Sequence, residues 1–210
     1  MTGRFGRVAL PGADVRYRPD WLAPDEAEAL QQRLLQEIQW TQHRVRMFGR
    51  ELPAPRLSAW IGDADAAYTY SRVRYQPAPW TPALAQLRER LQRELDAPFN
   101  SVLANRYRDG RDSMGWHADD EPELGSEPLI ASVSLGAVRR MRLRARDRSA
   151  SAVIDLAPGS LLLMGGQTQS RYQHAVDKTR AQTGERINLT FRWVHARENG
   201  DSMRRPPDDG

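Results

Sequence analysis

Cysteine is absent from the 210-residue sequence. That excludes disulfides, thiolate-bound zinc, iron–sulfur clusters and thiol nucleophiles. Lysine is nearly absent: Lys178 stands alone, so the basic side of the balance, 31 residues against 27 acidic ones for a net charge of +4, is almost wholly guanidinium. Histidine is scarce. Any imidazole-held metal must draw on His43, His117, His174 and His195. No run approaches the roughly 18 apolar residues of a membrane span, and the first twenty residues hold no apolar core of signal-peptide length. A cytoplasmic protein without a membrane partner is expected. Charged residues at 28% and hydrophobic residues at 40% fit a globular chain long enough for one domain with a sizeable core. Arginine suits planar, paired contacts to phosphate or carboxylate, and the small positive excess favours a polyanionic partner.

The pattern predicts two helices and then strands. From Pro24, Ala27, Leu30, Leu34 and Ile38 recur at helical spacing, with Asp25 and Glu26 in the first turn. A second helix has Thr81 as N-cap, Pro82 at its first position and a stripe of Leu84, Leu87, Leu91 and Leu95. Residues 1–20 read as extended and 41–79 as loops and short strands. Strands are expected at 101–107, 129–135, 140–146 and 186–194, with a strand, turn and strand between Val153 and Gly166. In 140–146 the alternation is strict: Met141, Leu143 and Ala145 on one face, Arg140, Arg142, Arg144 and Arg146 on the other. Residues from 196 onward are polar and are expected to be disordered. The fold class is α+β, with a second half that is a β-sandwich or barrel.

Alternation also groups the polar residues. Asn105, Tyr107 and Leu103 share a face, as do Arg186, Asn188, Thr190 and Arg192. That second face is either solvated or wrapped around an anion. His117 and Asp119, two residues apart, can place an imidazole nitrogen and a carboxylate oxygen on one ion. His174 is the natural third ligand, and two histidines with one carboxylate form the facial triad of non-haem Fe(II) oxygenases. The bland reading is that His117 caps a turn and His174 is a surface or core histidine. His43 and His195, without acidic neighbours at useful spacing, read as structural.

The order of these parts carries more than any one of them. N-R-Y-R-D-G (105–110), W-H-A-D-D-E-P (116–122), I-A-S-V-S-L-G (130–136), His174 and R-I-N-L-T-F-R (186–192) follow one another in a single C-terminal half. This half resembles the AlkB-type Fe(II)/2-oxoglutarate-dependent dioxygenases that repair alkylated nucleobases. Upstream, FGR (48–50), PR (55–56), WIGD (60–63) and YTYS (68–71) resemble the nucleotide-recognition region of the branch with the animal homologues. The likeness spans residues 45–194.

The resemblance implies a double-stranded β-helix, or jelly-roll, core at 99–195. Residues 1–98 then form an N-terminal extension with two helices and the recognition region, all within one domain and a monomer. It implies Fe(II) on His117, Asp119 and His174, and 2-oxoglutarate on Arg186, Arg192, Asn105, Tyr107 and Asn188, with the pairing of each arginine to a carboxylate left open. With O2, the implied reaction hydroxylates an N-methyl group. The methyl group then leaves as formaldehyde, and the co-substrate ends as succinate and CO2. The implied substrates are 1-methyladenine and 3-methylcytosine, cationic bases that Asp120 and Glu121 would favour, with Tyr70, Trp60 and Tyr68 available to stack on a flipped base and Leu103 abutting it. Asp120 and Glu121 read equally as a solvated acidic turn, and the aromatics as core. The arginine face of 140–146 reads as a phosphate contact or as a solvated sheet face. The WIGD and YTYS region differs from that of the best-known bacterial members, which leaves the preference among single-stranded DNA, duplex DNA and RNA open; the sequence holds no obvious apolar wedge segment for opening a duplex, which favours single-stranded substrate. Two alternatives remain at this stage: the same chemistry on RNA, a protein side chain, a lipid or a small molecule, and a non-catalytic nucleic-acid-binding protein.

Overall fold

A computed structural model describes residues 4–47, 50–66, 68–70 and 73–195, with side chains described outside 45–50 and 67–75. In chain order the elements are β1 (Gly6–Arg7), β2 (Asp14–Arg18), α1 (Pro24–Glu37), β3 (Arg44–Met47), β4 (Arg50–Pro53), β5 (Leu57–Gly62), β6 (Tyr68–Tyr70), β7 (Val73–Tyr75) and α2 (Pro82–Leu95). The second half adds β8 (Ser101–Tyr107), β9 (Met114–His117), β10 (Ile130–Gly136), β11 (Arg139–Ala145), β12 (Ser151–Leu156), β13 (Ser160–Gly165), the single turn α3 (Thr168–Arg171), β14 (Tyr172–Val176) and β15 (Arg186–Arg192). The expected tail at 196–210 lies outside the described residues.

Two antiparallel sheets form the body. The larger runs β1-β2-β13-β10-β15-β8-β5 and the smaller β12-β11-β14-β9. Strand alternation sorts the larger sheet into two faces. Val102 and Ala104, Ala131, Val133 and Leu135, and Ile187, Leu189 and Phe191 pack against Leu34 of α1 and Leu84 and Leu91 of α2. The opposite face meets the smaller sheet, where Ile130, Leu162, Met164 and Val15 pack against Met141, Leu143, Leu156 and Val176. The protein is therefore a jelly-roll sandwich with its helices on the outside of one sheet.

Both helices form for the reasons read in the sequence. Thr81 caps α2, its hydroxyl accepting from the Leu84 N–H at 3.4 Å, and Leu84, Leu87 and Leu91 are buried. In α1, Ala27 and Leu34 are buried, with Asp25 and Glu26 in the first turn.

Pairing across the chain departs from the simple division of extension and core. Strand β2, from the segment read only as extended, pairs with β13, with Val15 opposite Met164. Strand β5 pairs with β8, with Trp60 opposite Leu103. The strand, turn and strand between Val153 and Gly166 is real but not a hairpin: β12 belongs to the small sheet and β13 to the large one. Gly159 makes that crossing possible. Its φ is +76°, and a Cβ there would lie 2.8 Å from the Leu22 carbonyl oxygen.

Removing the cap isolates one local cause. Thr81→Ala is expected to lower stability by about 1 kcal/mol, seen as a shifted urea midpoint with unchanged slope; an unshifted midpoint would remove the cap from the account.

Candidate metal and co-substrate site

The smaller sheet brings the expected ligands together. In the pairing of β14 with β9, His174 stands directly opposite His117, and their rings lie 4.2 Å apart between centroids. Asp119 follows two residues after the end of β9. One ligand atom from each of His117, Asp119 and His174 lies within 4.8 Å of the others, close enough for a single ion. The His117 Nδ1 is 2.9 Å from the Gly115 carbonyl oxygen. With Nδ1–H donating there, the Nε2 lone pair is free, and Nε2 lies 3.8 Å from Asp119 Oδ1.

Charge in this cluster is set by burial and by the neighbouring charges acting against or with it. Burial pushes the Asp119 carboxyl up, but the Arg192 guanidinium and then the two imidazoles hold it down, to about 2. Burial pushes the His174 imidazole down, to about 3, and His117 reinforces the shift. The cluster thus presents an ionised carboxylate and a neutral imidazole, the forms a divalent cation requires. Arg192 Nη2 donates to Asp119 Oδ1 at 2.6 Å, and both side chains are almost wholly buried, 4% and 3% exposed.

The polar face of β15 points inward between the sheets. All of β15 except Asn188 is buried, so the solvated reading of Arg186, Asn188, Thr190 and Arg192 fails. Arg186, 1% exposed, donates from Nη2 to Ser134 Oγ at 2.9 Å and to Asn188 Oδ1 at 2.6 Å. Its Nε and Nη1 are buried without a hydrogen-bond partner. Burial pushes its pKa down to about 10, with Tyr107 opposing the shift, so it stays a cation near neutral pH. Its guanidinium carbon lies 5.2 Å from the centre of the Tyr107 ring.

Two chambers meet at the triad. His117, Asp119, Arg192, Asn105, Leu103 and Met114 line both. Tyr107, His174, Arg186 and Asn188 complete the inner one. Trp60, Glu121, Arg56 and His43 line the outer one. Trp60 is held there by its indole N–H, which donates to the Ala66 carbonyl oxygen at 3.2 Å.

The acidic pair divides differently from expectation. Asp120 is exposed, is not among the residues lining either chamber, and pairs with Arg146. Glu121 faces the outer chamber. Glu121 is extended ahead of the 3-10 turn at Pro122–Leu124, and it lines the same chamber as Asp119 two residues earlier while Asp120 does not. Tyr68 and Tyr70 both lie on β6, which pairs with β7, but both side chains lie outside the described residues.

His43, read as structural, lines the outer chamber, and Arg56 donates from Nε to Asn105 Oδ1 at 2.9 Å. No spacing rule marks His43, whereas Arg56 belongs to the PR (55–56) segment that the resemblance singles out. The arginine face of β11 is exposed as expected, but Arg140, Arg142 and Arg146 are already paired with Asp155, Asp177 and Asp120. Most of its charge is thereby answered within the chain.

Arg192→Met is expected to leave the Asp119 charge buried and uncompensated. The metal-free protein should then lose about 3–5 kcal/mol by urea denaturation, and Asp119→Asn added to it should restore part of the loss. Strictly additive losses would contradict the pair.

The profile of the 2OG-Fe(II) oxygenase superfamily matches residues 14–192. Alpha-ketoglutarate-dependent dioxygenase alkB homolog 3 of Rattus norvegicus is 42% identical over 195 residues, covering 87% of this chain and 64% of its own length. DNA oxidative demethylase ALKBH2 of Bos taurus is 36% identical over 201 residues, covering 90% of this chain and 72% of its own length. The chain thus spans just under two-thirds of the rat relative. Among solved structures, OsALKBH1 superposes with a TM-score of 0.59 at 19% identity, covering 89% of this chain and all of that one. A Pseudomonas putida prolyl-4-hydroxylase does so with a TM-score of 0.56 at 13% identity, covering 86% of this chain and 92% of that one, and both share the fold. With the profile spanning both sheets and the ligand triad in place between them, the chain belongs to the 2OG-Fe(II) oxygenase superfamily, in its AlkB-type branch.

Proposed function

We propose that this protein oxidatively demethylates N-alkylated bases in nucleic acid, with 1-methyladenine and 3-methylcytosine in single-stranded DNA as substrates. The observation that carries the reading is the position of the triad between two unlike chambers: an inner one with a buried guanidinium two of whose nitrogens lack partners, and an outer one with an indole and a carboxylate.

The family's cofactors fit the residues present. His117, Asp119 and His174 would hold Fe(II), with Asp119 ionised and His174 neutral as a cation needs. A buried guanidinium with two unused donors calls for an anion, because leaving it without one is costly. Arg186 would take the far carboxylate of 2-oxoglutarate through Nε and Nη1, with Asn105, Tyr107 and Asn188 forming the chamber around it. Arg192 would act on the co-substrate indirectly, since its Nη2 is committed to Asp119. Bound Fe(II), 2-oxoglutarate and O2 supply the oxidation of the N-methyl group, whose carbon leaves as formaldehyde.

The chain's own contribution is placement. Glu121, at the outer chamber, would draw a cationic methylated base in preference to a neutral one. Asp120 would act at one remove, through its tie to Arg146. Trp60 offers an aromatic wall and Leu103 an apolar contact at the junction of the chambers, and Tyr68 and Tyr70 belong to the hairpin beside them in sequence. An unpaired base enters without the cost of opening a duplex, which is why single-stranded DNA is the assigned form. Relatives named as alpha-ketoglutarate-dependent dioxygenase and DNA oxidative demethylase support the reading.

Formaldehyde release from a single-stranded oligonucleotide bearing one 3-methylcytosine tests it. Release that requires both Fe(II) and 2-oxoglutarate is expected; equal co-substrate turnover with unmethylated DNA would contradict it. Arg186→Ala is expected to raise the apparent KM for 2-oxoglutarate roughly tenfold or more, the scale of a lost charge-assisted hydrogen bond. An unchanged KM would take Arg186 out of the co-substrate site.

A further inference from the structure

Helix α3 is one turn long and sits between β13 and the His174 strand β14. A short polar connection of this kind belongs on the surface, yet Gln169 within it is 2% exposed. Its Oε1 accepts the Asp119 backbone N–H at 2.9 Å. Its Nε2 faces the Met164 Sδ at 3.6 Å, which fixes which end of the amide meets Asp119. The turn is itself held from two sides. Thr168 Oγ1 accepts the Asp14 N–H at 3.1 Å and donates to the Gly165 carbonyl oxygen at 2.6 Å. Arg146 Nε donates to the Ser170 carbonyl oxygen at 2.9 Å, and the same guanidinium pairs with Asp120.

We infer that Gln169 is a positioning residue for the Asp119 ligand. The inference rests on the triad being the metal site. Asp119 lies beyond the end of β9, so no ladder bond of that strand holds its peptide. Arg192 fixes one carboxylate oxygen, and Gln169 fixes the backbone from which the carboxylate projects. With both in place the side chain has one orientation, toward His117 and His174. Without the amide acceptor, the peptide N–H is left buried and unpaired, and the loop can rotate to seek another partner. The ligand geometry then loosens while the two histidines, placed by the β9–β14 ladder, stay where they are. Groups that orient a metal ligand from behind are typically worth about 10–100-fold in metal affinity.

Anaerobic titration of the full chain with Co(II), read through its d–d absorption, tests this without turnover. Gln169→Leu is expected to weaken Co(II) binding about tenfold and to shift the d–d bands, with Arg192 and both histidines intact. Gln169→Asn keeps an amide but draws it back by one methylene; it is expected to give an intermediate loss, and it decides the matter if the leucine variant does not fold. Wild-type affinity and bands in either folded variant, with only the melting temperature lowered, would reduce Gln169 to a filler of the core and overturn the inference. A wild-type protein that binds no Co(II), or binds it equally well as His174→Ala, would overturn the triad reading beneath it.

Discussion

Asp119 is a carboxylate with almost no access to water, and its pairing with Arg192 is the condition on which the site depends. An isolated buried charge of this kind would take up a proton or unfold its surroundings. The guanidinium keeps it ionised, and so keeps it able to hold a cation. The pairing also divides labour between the two arginines of β15. Six residues apart on one strand, they share a face, yet one is committed to Asp119 and the other retains two unused donors. In the proposed function the strand would serve both the Asp119 carboxylate and the far carboxylate of the co-substrate from one rigid element, which is more exact than placing those groups on loops.

The sandwich makes that division possible. Two antiparallel sheets leave an interior in which inward-facing side chains of β8, β10 and β15 meet those of β11 and β14. Near the triad the apolar filling gives way to Asn105, Ser132, Ser134 and Asn188, most of them tied to one another or to an arginine. The opposite face of the larger sheet is apolar at its centre, under α1 and α2. Hydrophobic burial there stabilises the sheet, and the inner face is released to carry polar groups that would otherwise destabilise a core.

Much of this was legible before any coordinates. The Thr81 cap, the leucine stripe of α2 and the strict alternation of 140–146 each have a local cause, and each appears as read. The triad was legible because its residue types and order are distinctive, although the meeting of His174 with His117 is a product of strand pairing across 57 positions. What stayed hidden depends on distant partners. Strand β2 finds β13 more than a hundred residues away, and its own composition says little about burial. The polar face of β15 looks the same whether water or an interior chamber lies beyond it. Asp120 and Glu121 are chemically near-equivalent neighbours, and which of them faces the cavity depends on the backbone path beyond β9. Gln169 looks like surface until tertiary packing buries it.

A crystal structure of the anaerobic complex with Mn(II) and 2-oxoglutarate tests the central claim most directly. The account predicts one metal ion bound by His117, Asp119 and His174, Asp119 still paired with Arg192, and the far carboxylate of the keto-diacid on Nε and Nη1 of Arg186. A metal bound away from those three residues, or a co-substrate that breaks the Asp119–Arg192 pair to reach Arg192, would contradict it.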